Sequence, residues 1–115
     1  MNLVDKQNKF AGLVTHLIRR IQSSGYKVSF GEAWRHPETA KHMAKVGKGV
    51  KNSYHIQRLA IDLNLFKEID GKNVYLTSTE DHRQFGEYWK SLDPECTWGG
   101  DFKRSDANHY SFGEK

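Results

Sequence analysis

The sequence predicts an α+β fold in which helices flank a small antiparallel sheet. Two observations lead to this prediction. Helical and strand patterns are mixed along the 115 residues without a repeating strand-helix unit, and a D-G dipeptide joins two neighbouring strand patterns as a hairpin turn does. No spacer rich in Pro, Gly or Ser divides the chain, so we expect a single domain over residues 1–115.

The first half of the chain predicts a helix, a strand and a second helix. Apolar residues recur at every third or fourth position over residues 6–24, and Gly25 follows as a stop signal, which indicates an amphipathic helix that packs on the core. Residues 26–34 alternate between apolar and polar side chains, as a strand does. Pro37 then opens a helix over residues 37–46, which G-K-G terminates.

The second half predicts a hairpin, a capped helix and a final strand. The run over residues 58–66 suits a strand, and Asp70 with Gly71 turns the chain into the shorter strand N-V-Y-L. Ser78 and Asp81 are spaced like a capping box before a helix whose apolar face ends at D-P. The stretch T-W-G-G-D-F then bends sharply, and N-H-Y-S-F alternates like a strand.

Composition excludes several classes of protein. Three Trp, five Tyr and six Phe are too many for a disordered chain, although only 37% of residues are hydrophobic. No apolar stretch approaches the roughly 20 residues that cross a bilayer, and the first residues do not resemble a secretion signal, so we expect a cytoplasmic protein without stable membrane association. Cys96 is the single cysteine, so any metal must be held by His, Asp or Glu. The net charge of +4 favours an anionic partner, either nucleic acid, a membrane surface or a cell-wall polymer.

His55 and Asp62 lie seven positions apart, and Asp62 interrupts the apolar run L-A-I-D-L-N-L-F. A buried carboxylate needs a partner that neutralises its charge. If His55 lies in the loop that leads into the strand, both side chains can reach one point, and a bound cation there would neutralise Asp62. Asp62 could instead pair with Arg58 or Arg35, or point to solvent from an edge strand.

The stretch D-A-N-H adds a second pair of candidate residues. A catalytic zinc takes three protein ligands from His, Asp and Glu, and a nearby carboxylate serves as general base. His109 can be the third ligand and Asp106 the base, although the stretch could also be a polar turn before an ordinary strand. The four remaining histidines lie on predicted helices or next to them, beside charged residues, and are interpreted as surface or packing residues: His16, His36, His42 and His82.

Four blocks of sequence resemble one family in the correct order. S-Y-H-I-Q-R-L-A-I-D is similar to the Ser-x-His-(x)6-Asp signature of the zinc D-alanyl-D-alanine carboxypeptidase and L-alanyl-D-glutamate endopeptidase family. D-A-N-H resembles the acidic-x-x-His motif of that family, W-G-G-D-F its Trp-Gly-Gly stretch, and G-E-A-W-R-H-P-E-T-A the block that carries its active-site arginine. The resemblance implies the Hedgehog/DD-peptidase fold and a zinc metallopeptidase.

The resemblance also implies a role for each matching residue. Zinc would be bound by His55, Asp62 and His109, with Asp106 as the catalytic base. Arg35 would stabilise the negative charge that develops on the substrate carbonyl, and Ser53 would contact substrate or orient His55. The chain departs from the family at Arg58, where glycine is common, so a positive φ or a close approach there would require a different strand entry.

Short members of the family without a signal peptide resemble phage lysis enzymes. The resemblance therefore implies a peptidoglycan L-alanyl-D-glutamate endopeptidase acting as an endolysin, made in the host cytoplasm and reaching the wall through a separate release system, and we expect a monomer. A D-alanyl-D-alanine carboxypeptidase or dipeptidase is the alternative. A non-catalytic binding module for nucleic acid or wall polymer, or a member that has lost catalysis, would be another class. The basic stripe of Lys41, Lys45, Lys48 and Lys51 is interpreted as a solvated face, although it could hold such a polymer.

Overall fold

The computed structural model describes residues 1–45 and 54–114, and within them the chain is an α+β protein, as predicted. Every strand pairing among these residues is antiparallel. None of the described helices is long and apolar enough to cross a membrane. The elements are α1 (Leu3–Ser23), β1 (Lys27–Phe30), α2 (Pro37–Lys45), β2 (Ala60–Ile69), β3 (Lys72–Leu76), α3 (Thr79–Leu92), β4 (Cys96–Trp98), a 3-10 turn (Gly99–Asp101) and β5 (His109–Phe112).

Strand β2 is the centre of the sheet. The strand order is β1-β2-β5-β4, and β3 also pairs with β2. Because β2 has 10 residues and β5 has only 4, β5 pairs with the first part of β2, while β1 and β3 pair with the later part. Asp62 on β2 lies directly opposite His109 on β5 in this register.

The core lies between one face of the sheet and the helices α1 and α3. Strand β2 buries Ile61, Leu63 and Leu65, whereas the alternate residues Asp62, Asn64 and Phe66 face the opposite side and are only half-buried. The helices supply a stripe of buried residues at helical spacing, and this burial is the main stabilising term of the fold. Those helical residues are Phe10, Val14, Leu17 and Ile21 from α1 and Phe85 and Trp89 from α3.

Two local signals in the sequence have the predicted geometry. Asp70 and Gly71 adopt φ angles of 52° and 77°, the left-handed pair that a tight hairpin requires. The Ser78 side chain accepts a hydrogen bond from the Asp81 amide at 3.0 Å, and the Asp81 carboxylate accepts one from the Ser78 amide at 3.2 Å. These bonds satisfy amide groups that the first turn of a helix otherwise leaves free, so α3 begins where the capping box predicts.

Strand boundaries differ from the prediction. The central strand ends at Ile69 rather than at residue 66, and β4 was not predicted as a strand. Two further differences lie beside the site. The first strand ends at Phe30 rather than at residue 34, because the chain leaves the sheet after Glu32 and the Arg35 amide bonds to the His55 carbonyl at 3.3 Å. The central strand begins at Ala60 rather than at Arg58, because residues 54–58 form a turn. As a result, residues 31–35 and the turn over residues 54–58 meet beside the first residues of β2.

Candidate metal centre

The structure brings three of the predicted residues to one point. The ligand atoms of His55, Asp62 and His109 all lie within 4.8 Å of one another. Nε2 of His55 is 3.2 Å from Oδ1 of Asp62, and Nδ1 of His109 is 3.5 Å from the same oxygen. His55 lies in the turn before β2, Asp62 projects from β2, and His109 projects from β5. The two strand residues therefore owe their proximity to the register of the sheet.

Gly31 makes room for the Asp62 carboxylate. Its amide donates to the Asp62 carbonyl at 2.8 Å, and the Asp62 amide donates to the Glu32 carbonyl at 2.8 Å, so the chain after β1 still pairs with β2. A Cβ on Gly31 would lie 3.0 Å from the Cβ of Asp62. The glycine thus permits a close backbone approach, because a side chain at this position would crowd the Cβ and the carbonyl group of Asp62.

The three side chains fit a tetrahedral metal ion. Ligand atoms bonded to zinc at about 2.0–2.1 Å lie about 3.3 Å apart in a tetrahedron, and the two imidazole nitrogens lie 3.2 and 3.5 Å from Asp62 Oδ1. That oxygen is buried and accepts no hydrogen bond. Buried carboxylate oxygens normally have a hydrogen-bond partner. A cation bound between the three ligand atoms would supply the partner that Asp62 Oδ1 lacks.

Electrostatics favour an ionised carboxylate at this point. Burial opposes the ionisation of Asp62, but the neighbouring His109 and His55 outweigh it and hold the Asp62 pKa below its usual value. Burial likewise opposes a charged His109, yet Asp62 and Glu114 raise the His109 pKa to about 9. The group therefore attracts positive charge, whether as a proton on an imidazole or as a metal ion that displaces it.

Asp106 lies at the edge of the three-residue group. Its Oδ2 is 3.9 Å from Nδ1 of His109, and its side chain is about half exposed. Burial, followed by repulsion from Asp62, raises the Asp106 pKa above its usual value. A carboxylate with a raised pKa that faces both the group and solvent can accept a proton from a water molecule held there.

Hydrogen bonds to and from its backbone hold the loop that carries Asp106 and His109 in place. The Asp106 amide donates to the Gly99 carbonyl at 2.9 Å, and the His109 amide donates to the Asp106 carbonyl at 3.0 Å. The buried Trp98 ring donates from Nε1 to the Ala107 carbonyl at 2.7 Å. A Cβ on Gly99 would lie 2.1 Å from the Asp106 carbonyl oxygen and 2.8 Å from the His109 Cβ. The W-G-G stretch therefore positions the D-A-N-H stretch by direct contact.

Arg35 reaches the group through Glu32. Two atoms of its guanidinium, Nε and an Nη, contact Oε1 of Glu32, the first at 2.7 Å. The same oxygen lies 3.9 Å from Nε2 of His55. The Arg35 side chain is only about 10% exposed, so the contact with Glu32 holds its charge beside the group. The sequence did not lead us to predict a role for Glu32. Its position three residues before Arg35 was the one signal that could have indicated this ion pair.

The remaining predicted residues have different outcomes. Ser53, Lys48 and Lys51 lie outside the described residues. Arg58 adopts a φ of 57°, so the left-handed backbone that the family's glycine suggested is present and a non-glycine residue adopts it. Lys41 forms an exposed ion pair with Glu38 at 3.5 Å, in agreement with a solvated face. Glu114, which contacts His109, was also missed.

Comparisons with known proteins show the family and the fold of the chain. The family described as D-alanyl-D-alanine carboxypeptidase matches residues 46–112, which is more than half of the chain. Among solved structures, the L-Ala D-Glu endopeptidase ChiX of Serratia marcescens superposes with a TM-score of 0.68. The match has 20% sequence identity and covers 89% of this chain and 78% of that chain, so it establishes a shared fold. None of the curated proteins matches this chain.

Proposed function

Because the chain belongs to the D-alanyl-D-alanine carboxypeptidase family, we propose that it is a zinc peptidase that hydrolyses the stem peptides of bacterial peptidoglycan. One observation carries the proposal. Nε2 of His55, Oδ1 of Asp62 and Nδ1 of His109 converge with the spacing of a tetrahedral site. Two imidazoles and one carboxylate leave the fourth position to water or substrate, which distinguishes a catalytic zinc site from a closed structural one.

Each residue around the site has a distinct task in amide hydrolysis. Bound zinc would polarise the substrate carbonyl and lower the pKa of water from 15.7 to about 7. Asp106, at the solvent edge of the group, takes the proton of the attacking water and passes it to the leaving amine. Arg35, held by Glu32, meets the negative charge that forms on the carbonyl oxygen.

We assign the L-alanyl-D-glutamate bond as the substrate bond, in an enzyme that acts as a phage endolysin. The support is the fold shared with ChiX, which is itself an L-Ala D-Glu endopeptidase. The family description favours the alternative, removal of terminal D-alanine. Under the endolysin proposal the enzyme is made in the cytoplasm of the host cell and reaches the wall through a separate release system.

Hydrolysis of purified peptidoglycan tests this function directly. The zinc-loaded protein should release new amino groups, and a chelator should abolish the release until zinc is restored. Fragment masses identify the bond, because cleavage after L-alanine frees a peptide that begins with D-glutamate, whereas the alternative frees D-alanine alone. Release of amino groups at the same rate after complete metal removal would exclude the zinc mechanism.

A further inference from the structure

His109 uses its two ring nitrogens in opposite directions. Nδ1 faces the candidate metal centre, where it lies 3.5 Å from Asp62 Oδ1. Nε2, on the far edge of the ring, lies 2.7 Å from Oε1 of Glu114. His109 is buried, and about a fifth of the Glu114 side chain is exposed, so this contact is largely screened from solvent. Glu114 therefore touches a candidate ligand and lies on the side of the ring away from the metal position.

The chain after β5 is built to return Glu114 to this position. Gly113 adopts a φ of 86°, a left-handed conformation that turns the chain immediately after the strand. Its amide donates to the Glu95 carbonyl at 2.7 Å, and its carbonyl accepts from the Tyr54 hydroxyl at 3.1 Å. The Thr97 hydroxyl donates to the Glu114 carbonyl. Hydrogen bonds to the backbone of Gly113 and Glu114 thus fix the turn that places the Glu114 carboxylate beside His109.

We propose that Glu114 is a positioning residue that orients His109 and fixes the proton on its Nε2, so that Nδ1 offers its lone pair to zinc. A neutral imidazole carries one proton, and a carboxylate at Nε2 selects the tautomer that carries it there. The same bond sets the ring plane and increases the basicity of the ligating nitrogen. This inference rests on the proposed zinc function and adds a residue outside the four sequence blocks that carry the family resemblance.

Zinc affinity is the primary test. Loss of such a partner typically weakens metal binding by about 10–100-fold, so Glu114→Ala should lower the zinc affinity measured by competition with a chromophoric chelator by about that factor. Glu114→Gln keeps an oxygen acceptor and should recover part of the loss. Glu87→Ala removes the same charge from an exposed ion pair with Lys90 on α3 and should bind zinc like the wild type. Unfolding of the metal-free variants by urea separates a loss of folding from a loss of metal affinity.

Nitrogen NMR of the 113Cd-loaded protein provides a signature that a purely structural role would not produce. We expect cadmium coupling at Nδ1 of His109 and a slowly exchanging proton on Nε2, which Glu114→Ala should expose to rapid exchange. Unchanged zinc affinity and unchanged proton exchange in Glu114→Ala would overturn the inference while leaving the zinc peptidase intact. Wild-type protein that binds zinc with this signature but cuts no peptidoglycan would remove the proposed function and support the role of Glu114.

Discussion

The candidate site combines Asp62 of the central strand β2 with two flanking regions that are stabilised in different ways. The C-terminal arm, residues 96–112, supplies Asp106 and His109 from a segment fixed by backbone hydrogen bonds and by Trp98, which is fully buried. The N-terminal arm, residues 31–35 and 54–58, supplies Arg35 and His55 from two turns; these two side chains are largely buried, whereas the other residues of the turns are exposed or half-buried. Its contacts include the Glu32–Arg35 ion pair, the backbone bonds of Gly31 and Glu32 to Asp62 and of the Arg35 amide to the His55 carbonyl, and a stack of Arg58 on Trp34 at 4.9 Å.

This difference suggests a division of labour. A metal ligand must be held within a few tenths of an ångström, so it benefits from a segment that cannot move without breaking the core. A cation that meets charge on a substrate must be aimed at the reacting carbonyl, and the ion pair with Glu32 holds the largely buried Arg35 beside the group. Substitutions that disturb the backbone of the C-terminal arm should therefore change folding and metal binding, whereas substitutions of Arg35 in the N-terminal arm should change turnover; His55, the metal ligand of that arm, is the exception.

Gly99→Ala should have the largest effect. The new Cβ would meet the Asp106 carbonyl oxygen at 2.1 Å, which is backbone and cannot move aside cheaply. We expect a loss of about 3 kcal/mol or more in the free energy of unfolding, measured by urea denaturation, together with reduced zinc content. Gly12→Ala in α1 is the matched control, because nothing lies within 4 Å of its Cβ, and it should stabilise the protein by up to about 1 kcal/mol. Equal effects of the two substitutions would contradict the rigid C-terminal arm.

Asp106→Asn should separate catalysis from metal binding within that arm. The amide keeps the shape of the side chain but cannot accept the proton, so turnover should fall by about 10²–10⁴-fold while the zinc content stays near the wild-type value. Asp101→Asn, which alters an exposed aspartate paired with Lys90, serves as control. Loss of zinc from Asp106→Asn in elemental analysis would make Asp106 a ligand instead.

Arg35→Lys should lower turnover with little change in stability. Lysine keeps the charge but not the planar fork that contacts Glu32, so we expect a loss of roughly 10²-fold in kcat on peptidoglycan fragments. Arg83→Lys is the matched control, since Arg83 pairs with Glu80 at the same three-residue spacing on an exposed face. A loss of metal in Arg35→Lys would show that the two arms are less separate than we infer.

His82 on α3, which contacts the C-terminal arm at Tyr110, should add a pH dependence to the stability of the protein. It is buried against Tyr110 of β5, with Nδ1 3.1 Å from the phenol oxygen, and burial lowers its pKa, although the Leu76 carbonyl and Asp81 oppose this. His82 therefore binds a proton more readily in the unfolded chain than in the folded protein. Its contribution to stability is complete above about pH 6.5 and falls as the pH drops toward the lowered pKa of the folded state. His82→Gln should remove that part of the slope in urea titrations at several pH values. The exposed His16→Gln should leave it unchanged.

Arg58→Gly should have the smallest net effect. Glycine relieves about 1–2 kcal/mol of left-handed strain at φ 57°, but it loses the stack on Trp34, worth about 0.5–1 kcal/mol at an exposed site. Arg58→Ala keeps the strain and loses the stack, so it should be the less stable of the two by roughly 1 kcal/mol in thermal or urea unfolding. If the alanine variant proves as stable as the glycine variant, then the backbone at residue 58 leaves the left-handed conformation in the alanine variant and the strain is not retained.

The sequence alone predicted those structural elements whose signals come from residues close together in the chain. Helical spacing predicted α1 and α3, the D-G turn predicted the hairpin, and the Ser78–Asp81 capping box predicted the start of α3, because each depends on residues only a few positions apart. The four sequence blocks also identified the family, since the residue types that bind a metal recur at fixed spacing. The single-domain prediction and the assigned roles of the site residues stay predictions.

Only the tertiary structure decided how distant residues meet. The pairing of Asp62 with His109 depends on the register of two strands separated by the whole of α3, and no local pattern specifies that register. Glu32 and Glu114 resemble ordinary surface glutamates in the sequence, yet the fold places one between Arg35 and His55 and the other against His109. The sequence thus determined which chemical groups are available, and long-range packing decided which of them act together.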